Sequence, residues 1–94
     1  MIIQWSDLAL DDLERLRAYI SRDDPAAARG VAYNIVNSVE TLAQNPDIGR
    51  PGRMSGTREL VIARTSYIVP YRQRGGAVQI LRVYHGAKRW PGRF

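Results

Sequence analysis

Apolar positions in the first half of the chain recur at helical spacing. Ala9, Leu13, Leu16 and Ile20 follow one another at intervals of four, three and four residues, which marks one face of a helix. Ser6 stands just ahead of them as an N-cap, and Asp7, Asp11 and Asp12 place negative charge toward the positive end of the helix dipole. The stretch SRDDP ends this helix, because the residue before a proline is driven out of the helical region. Asp24 then caps a second helix with Pro25 at its first position. Its apolar face reads Ala28, Val31, Ile35, Val39 and Leu42, and it closes near Asn45. Two helices joined by so short a turn form an αα-hairpin.

Elsewhere the period is shorter. MIIQW at the start reads as a strand, and after the glycine- and proline-rich loop DIGRPGRMSG three more strands are predicted. They are TRELVIA (57–63), YIVPYRQR (67–74) and AVQILRVYH (77–85), with Gly75–Gly76 supplying a tight hairpin turn. Pro70 cannot donate to a ladder, so its strand is expected at a sheet edge or in irregular form. The element order predicts one α+β domain over residues 1–94: an N-terminal strand, an αα-hairpin, then a three-stranded antiparallel meander with the hairpin on one face. The expected core is Ile3, Leu13, Leu16, Ile20, Val31, Ile35, Val39, Leu42, Leu60, Ile62, Val69, Ile80 and Val83, with Trp5 and Tyr19 at its edge.

Composition narrows the chemistry. Ninety-four residues support a single modest core. Without cysteine there is neither a disulfide framework nor a thiolate nucleophile. No apolar run reaches the length of a membrane span, and Asp7, Asp11 and Asp12 interrupt the region where a signal peptide would be apolar; a soluble cytoplasmic protein is expected. Charge divides unevenly along the chain. Residues 1–49 carry four arginines against eight acids, a net −4, whereas residues 50–94 carry ten Lys and Arg against Glu59 alone, a net +9. A basic half on an acidic half points to a polyanion or an acidic protein as partner.

One histidine and no cysteine leave only carboxylates as metal ligands, sited mainly on the helices where solvation and capping explain them, and neither IGRPG nor GTREL matches a phosphate-binding loop, so no cofactor is expected. There is no nucleophile-elbow motif for a serine hydrolase. Metal-independent attack on a phosphodiester remains: it needs an acid, a base and cations around the developing charge. His85 offers the acid or base, Glu59 or Tyr84 a second proton carrier, and Arg72, Arg82 and Arg89 the clamp. The plainer alternative is a structural histidine beside Gly86 at a strand end, with arginines that keep a small sheet solvated. Trp90 and Phe94 either stack on bases or, for Trp90, pack back on the sheet.

The segments NPDIGRPGR, GTRELVI, YIVPYR and VQILRVYHGAKRWP resemble the ParE branch of the RelE/ParE superfamily, toxins of bacterial type II toxin–antitoxin systems. The resemblance runs along nearly the whole chain and implies the same element order. It implies a non-enzymatic inhibitor of DNA gyrase, neutralised by an acidic ParD-like antitoxin in a toxin–antitoxin hetero-oligomer. The RelE branch implies instead a ribosome-dependent mRNA endonuclease with basic residues on its central strands and an arginine late in the chain. Laid on this sequence through Tyr67 and Ala87-Lys88-Arg89, the two strand lysines fall on Glu59 and Val61 and the strand arginine on Ile68; Arg89 alone survives. Gyrase inhibition is therefore the first expectation. The nuclease is the second, with His85, Arg89 and Arg72 as its catalytic residues. The surface expected to meet target or antitoxin comprises Arg58, Arg64, Arg72, Arg82, Lys88, Arg89 and Trp90, beside an apolar groove between hairpin and sheet. With the sequence ending at Phe94, a short tail is expected to carry the last three of these.

Overall fold

The computed structural model describes residues 1–87; Lys88, Arg89, Trp90 and Phe94 lie outside the described residues. Strand β1 (Ile2–Trp5) leads into α1 (Asp7–Ser21) and α2 (Pro25–Glu40), which ends in a 3₁₀ turn (Thr41–Ala43). Five strands follow: β2 (Arg50–Pro51), β3 (Arg58–Val61), β4 (Tyr67–Arg74), β5 (Ala77–Ile80) and β6 (Tyr84–His85). Both helix starts are capped as the sequence predicts. Ser6 Oγ accepts from Ala9 N–H and Asp24 Oδ1 from Ala27 N–H, each at 3.0 Å. The same Ser6 hydroxyl donates to the Leu81 carbonyl (2.9 Å), tying the first helix to the last strands.

The strands form one mixed sheet in the order β1-β5-β4-β3-β2, with β6 pairing β4 beyond the end of β5. The expected antiparallel meander lies at its centre, and Gly75 and Gly76 turn the β4–β5 hairpin at φ +62° and +78°, angles that a side chain would oppose. Three features exceed the sequence reading. Strand β1 pairs in parallel with β5, Ile3 opposite Val78 and Trp5 opposite Ile80. Arg50–Pro51, read as loop, adds a short edge strand. The 77–85 run divides after Ile80, because residues 81–83 leave the ladder before β6 resumes it.

Pro70 corrects an expectation. It is fully buried on the central strand β4, not at an edge. Its carbonyl accepts from Leu81 N–H (2.9 Å), so its nitrogen points toward the same neighbour, where the chain has broken away between β5 and β6. The Leu81 carbonyl, which an N–H at position 70 would otherwise engage, accepts from Ser6 Oγ instead, so the proline leaves no acceptor unmet.

The core lies between the hairpin and one face of the sheet. Ala9, Leu16, Ile35, Val39 and Leu42 of the helical layer meet Leu60, Ile62, Val69, Tyr71, Val78, Ile80 and Val83 of the sheet layer. Ile3, Leu13, Ile20, Val31 and Trp5 pack partly buried against them, as expected. Ala9, Tyr71 and Val78 join the core beyond the expected set. Tyr19, expected at the core edge, is 69% exposed; it lies beside the Leu16–Ile20 face rather than on it.

Candidate functional site: the sheet face turned from the helices

The segment 45–53, so prominent in the sequence, joins the sheet through the short strand β2 and is fastened to it further by side chains. Tyr71 is the main fastener. Its hydroxyl donates to the Pro46 carbonyl (2.7 Å) and accepts from the Gly49 N–H (2.9 Å). A Cβ at Gly49 would stand 2.6 Å from the ring and hydroxyl of Tyr71, so only glycine fits beneath it. Arg58 donates to the carbonyls of Asp47 (3.1 Å) and Gly49 (2.8 Å), and Gln73 donates to the Asp47 carboxylate (2.8 Å). Beyond the loop, Glu59 is only 3% exposed. Its Oε1 accepts from Arg50 Nε and Nη2 at 3.1 and 3.0 Å, and its Oε2 accepts from the Arg53 backbone N–H at 3.1 Å. Burial of a carboxylate is costly unless hydrogen bonds replace its water, and these do so.

Alternation along the strands sorts the remaining side chains. Tyr67, Val69 and Tyr71 face the helices. Ile68, Pro70, Arg72 and Arg74 face away, together with their cross-strand partners Glu59, Val61, Gln79 and Tyr84. Val61 stands directly opposite Ile68, and Ile68 opposite Tyr84. Two contiguous troughs cross this face. One, of about 450 Å³, lies among Ser6, Leu8, the 54–57 loop, Arg72–Arg74 and Leu81. The other, of about 290 Å³, shares Ser6, Arg72 and Leu81 with it and adds Gln4, Trp5, Gln79 and Ile80. Arg72 sits where they meet, its Nε donating to Gln79 Oε1 at 2.7 Å.

The predicted site residues do not gather in one place. Arg72 faces the trough. Arg58 faces the helical side and is engaged by the loop carbonyls. Arg64 occupies the β3–β4 turn at φ +62°. Arg82 is held by Asp12 of α1: Nε donates to Oδ2 (2.7 Å) and Nη2 to Oδ1 (2.9 Å), while Val83 N–H also reaches Oδ2 (2.9 Å). Hydrogen bonding to Asp12 raises the Arg82 pKa further, and its guanidinium lies 4.9 Å from the Tyr84 ring centre. His85 pairs with Tyr67, edge to face at 5.4 Å, on the helical side of the sheet. Its Nδ1 accepts from Ala87 N–H (3.2 Å). His85 and Arg72, grouped as a nuclease pair, therefore point to opposite faces, and Arg89, the third member, lies outside the described residues. Burial raises the phenol pKa of Tyr67, Tyr71 and Tyr84.

Arg50, Arg53 and Arg74 are the cations that sequence reasoning passed over. The two arginines of GRPGR counted toward the basic half but were not placed on the binding surface. Among the described residues no three His, Cys, Asp or Glu side chains cluster as a metal site, and no helix is long and apolar enough to cross a membrane.

Comparison with known proteins agrees with this architecture. Residues 3–90 match the family model for the ParE toxin of the type II toxin–antitoxin system parDE. A relative named "Putative toxin Y4kP", from Sinorhizobium fredii, is 47% identical over 89 residues, covering 95% of this chain and 92% of its own. "Toxin RelE2" of Caulobacter vibrioides is 34% identical over 86 residues, covering 92% and 96%. A solved structure described as the chromosomal ParDE TA system from P. aeruginosa superposes with a TM-score of 0.81 at 31% identity, covering 90% of this chain and 95% of that one. Fold and sequence together define a type II toxin of the RelE/ParE superfamily. Within it, the chain belongs to the ParE toxin family.

Proposed function

We propose that this toxin acts without chemistry of its own, by binding DNA gyrase through its basic C-terminal half and stalling it on cleaved DNA, and that an acidic ParD-like antitoxin neutralises it in a hetero-oligomer in the cytoplasm. One observation carries the reading. The positions that correspond to the strand cations of a RelE-like nuclease are Glu59, Val61 and Ile68. Here Glu59 is buried beneath Arg50 and Arg53, and Val61 and Ile68 form an apolar strip with Tyr84. Such a strip cannot stabilise charge developing on a phosphorane. Arg72 and Arg64 supply the binding charge, joined by Lys88 and Arg89, with Trp90 as an apolar contact; Arg82, paired with Asp12, and Arg58, engaged by the loop carbonyls, support the surface beside them.

The name RelE2 on a 34% identical relative keeps a second reading in view, a ribosome-dependent mRNA endonuclease using His85, Arg89 and Arg72. A translating extract separates the two. The gyrase reading expects intact transcripts at saturating toxin, and cleavage abolished by Arg89→Ala would overturn it. Purified gyrase provides the positive arm, in which supercoiling should be inhibited and rescued by the product of an adjacent acidic reading frame.

A further inference from the structure

The strands carry a single carboxylate, Glu59, and it is buried and neutralised; all their other charges are positive. No acidic side chain lines either trough among the described residues. Arg72 and Arg74 stand two residues apart on β4 and point the same way, roughly 6.6 Å from each other along the strand. Arg50 and Arg53 flank them across the sheet, each about half exposed and oriented by Glu59. Seven of the nine acids of the chain lie in the helical hairpin, residues 7–40, behind the sheet, so the molecule carries a charge dipole that presents this face to a polyanion.

We propose that the trough binds the phosphate backbone of a nucleic acid without reading its sequence, with Arg72 and Arg74 as its central cations and Arg50 and Arg53 at its flank. The inference does not rest on gyrase being the target. An acidic peptide is the other partner that the charge would admit. The larger trough has no aromatic side chain on which a peptide could anchor, its apolar lining being Leu8, Met54 and Leu81 spread among polar groups, and the one aromatic residue of the smaller trough, Trp5, is packed against the core. Phosphates need only guanidinium, hydroxyl and amide donors, and Arg72, Arg74, Ser55 and Gln4 provide them. Gln79 is a positioning residue here, since its bond to Arg72 Nε holds the guanidinium across the two strands.

Fluorescence anisotropy with short labelled duplex DNA, single-stranded DNA and RNA tests the proposal on the intact protein. The double variant Arg72→Gln/Arg74→Gln is compared with Arg15→Gln/Arg29→Gln, which removes the same charge from the helical layer. The wild type should bind at least one nucleic acid with a dissociation constant on the order of 10⁻⁴–10⁻⁶ M at physiological salt, and the three arms show which backbone it prefers. The trough variant should lose about tenfold or more in affinity, and its slope of log K against log salt should flatten by about 0.9 per lost contact on duplex or about 0.7 on single strands. The helical variant should keep the wild-type slope. Arg74→Gln alone, at an exposed side chain, guards against a folding artefact and should show about half the flattening. Equal weakening by both double variants, no binding in any arm, or polyglutamate displacing nucleic acid at matched charge would each overturn the proposal, the last in favour of an acidic peptide.

Discussion

Tyr71 shows how much one side chain decides. Its ring fills the core, and its hydroxyl holds Pro46 and Gly49 of the loop that flanks the basic face. Tyr71→Phe keeps the ring but strands a buried N–H and a carbonyl, which should cost about 1–3 kcal/mol in denaturant-induced unfolding. Gly49→Ala attacks the same contact from the other side and should cost a similar amount, about 1–3 kcal/mol, by overpacking against the ring. If either variant matched the wild type, the loop would not be fastened as described. Burial also gives Tyr71, Tyr67 and Tyr84 phenol pKa values above the ordinary 10.0. The folded state thus holds these protons more tightly than the unfolded chain, so their contribution is complete below the unfolded pKa and is lost as pH rises through the folded values. Stability should decline from about pH 10 upward, with the three phenols ionising late in an absorbance titration. Phenolate signals that rose together at the ordinary pKa, with flat stability, would contradict this.

At the scale of elements, the helical hairpin was the most legible part of the sequence. Its information is local: two capping residues, a proline at a permitted position and apolar side chains at helical spacing. The parallel pairing of β1 with β5 was not legible, because it joins residues about seventy-five positions apart and leaves no short-range signature. Pro70 misled for a related reason. Its tolerance on a central strand depends on Ser6, seventy-five residues from Leu81, occupying the Leu81 carbonyl, which sequence cannot register. The 45–53 loop was recognisable as a motif, but its anchors, Tyr71, Arg58 and Glu59, lie on β3 and β4, and only the folded sheet brings them to it. The candidate site was legible in sign and not in detail: the basic half was plain, yet alternation along β4 sends Arg72 to one face and His85 of the paired β6 to the other.

Two substitutions test the elements. Gly30 lies on the exposed side of α2, where an added Cβ would meet nothing within 4 Å. Gly30→Ala should stabilise by about 1 kcal/mol through helix propensity, raising Tm by roughly 4–8 °C. Unchanged or lowered Tm would mean that this helix carries a constraint the isolated chain does not reveal. Asp12→Ala removes three hydrogen bonds that join α1 to the segment between β5 and β6. Because Arg82 remains partly solvated, the cost should be about 2–3 kcal/mol, below that of breaking a fully buried pair. Urea unfolding measures it, and a loss under about 0.5 kcal/mol would place the pair among ordinary surface bridges.

The whole molecule is a two-sided object, with an acid-rich helical layer and a strand layer whose unburied charges are all positive. A charge separation of that kind speeds and orients encounter with a polyanionic or acidic partner, and it is screened by salt over roughly 8 Å at physiological ionic strength. On the gyrase reading proposed above, Glu59, Val61 and Ile68 stand where a RelE-like nuclease would carry strand cations, and the remaining charge serves binding. The most direct measurement is a gyrase reaction on supercoiled plasmid, quenched with detergent and protease. The account predicts that the toxin inhibits supercoiling and makes linear, enzyme-cleaved DNA accumulate with dose, and that His85→Ala does so equally well. Unimpaired supercoiling and no linear DNA at saturating toxin would contradict it.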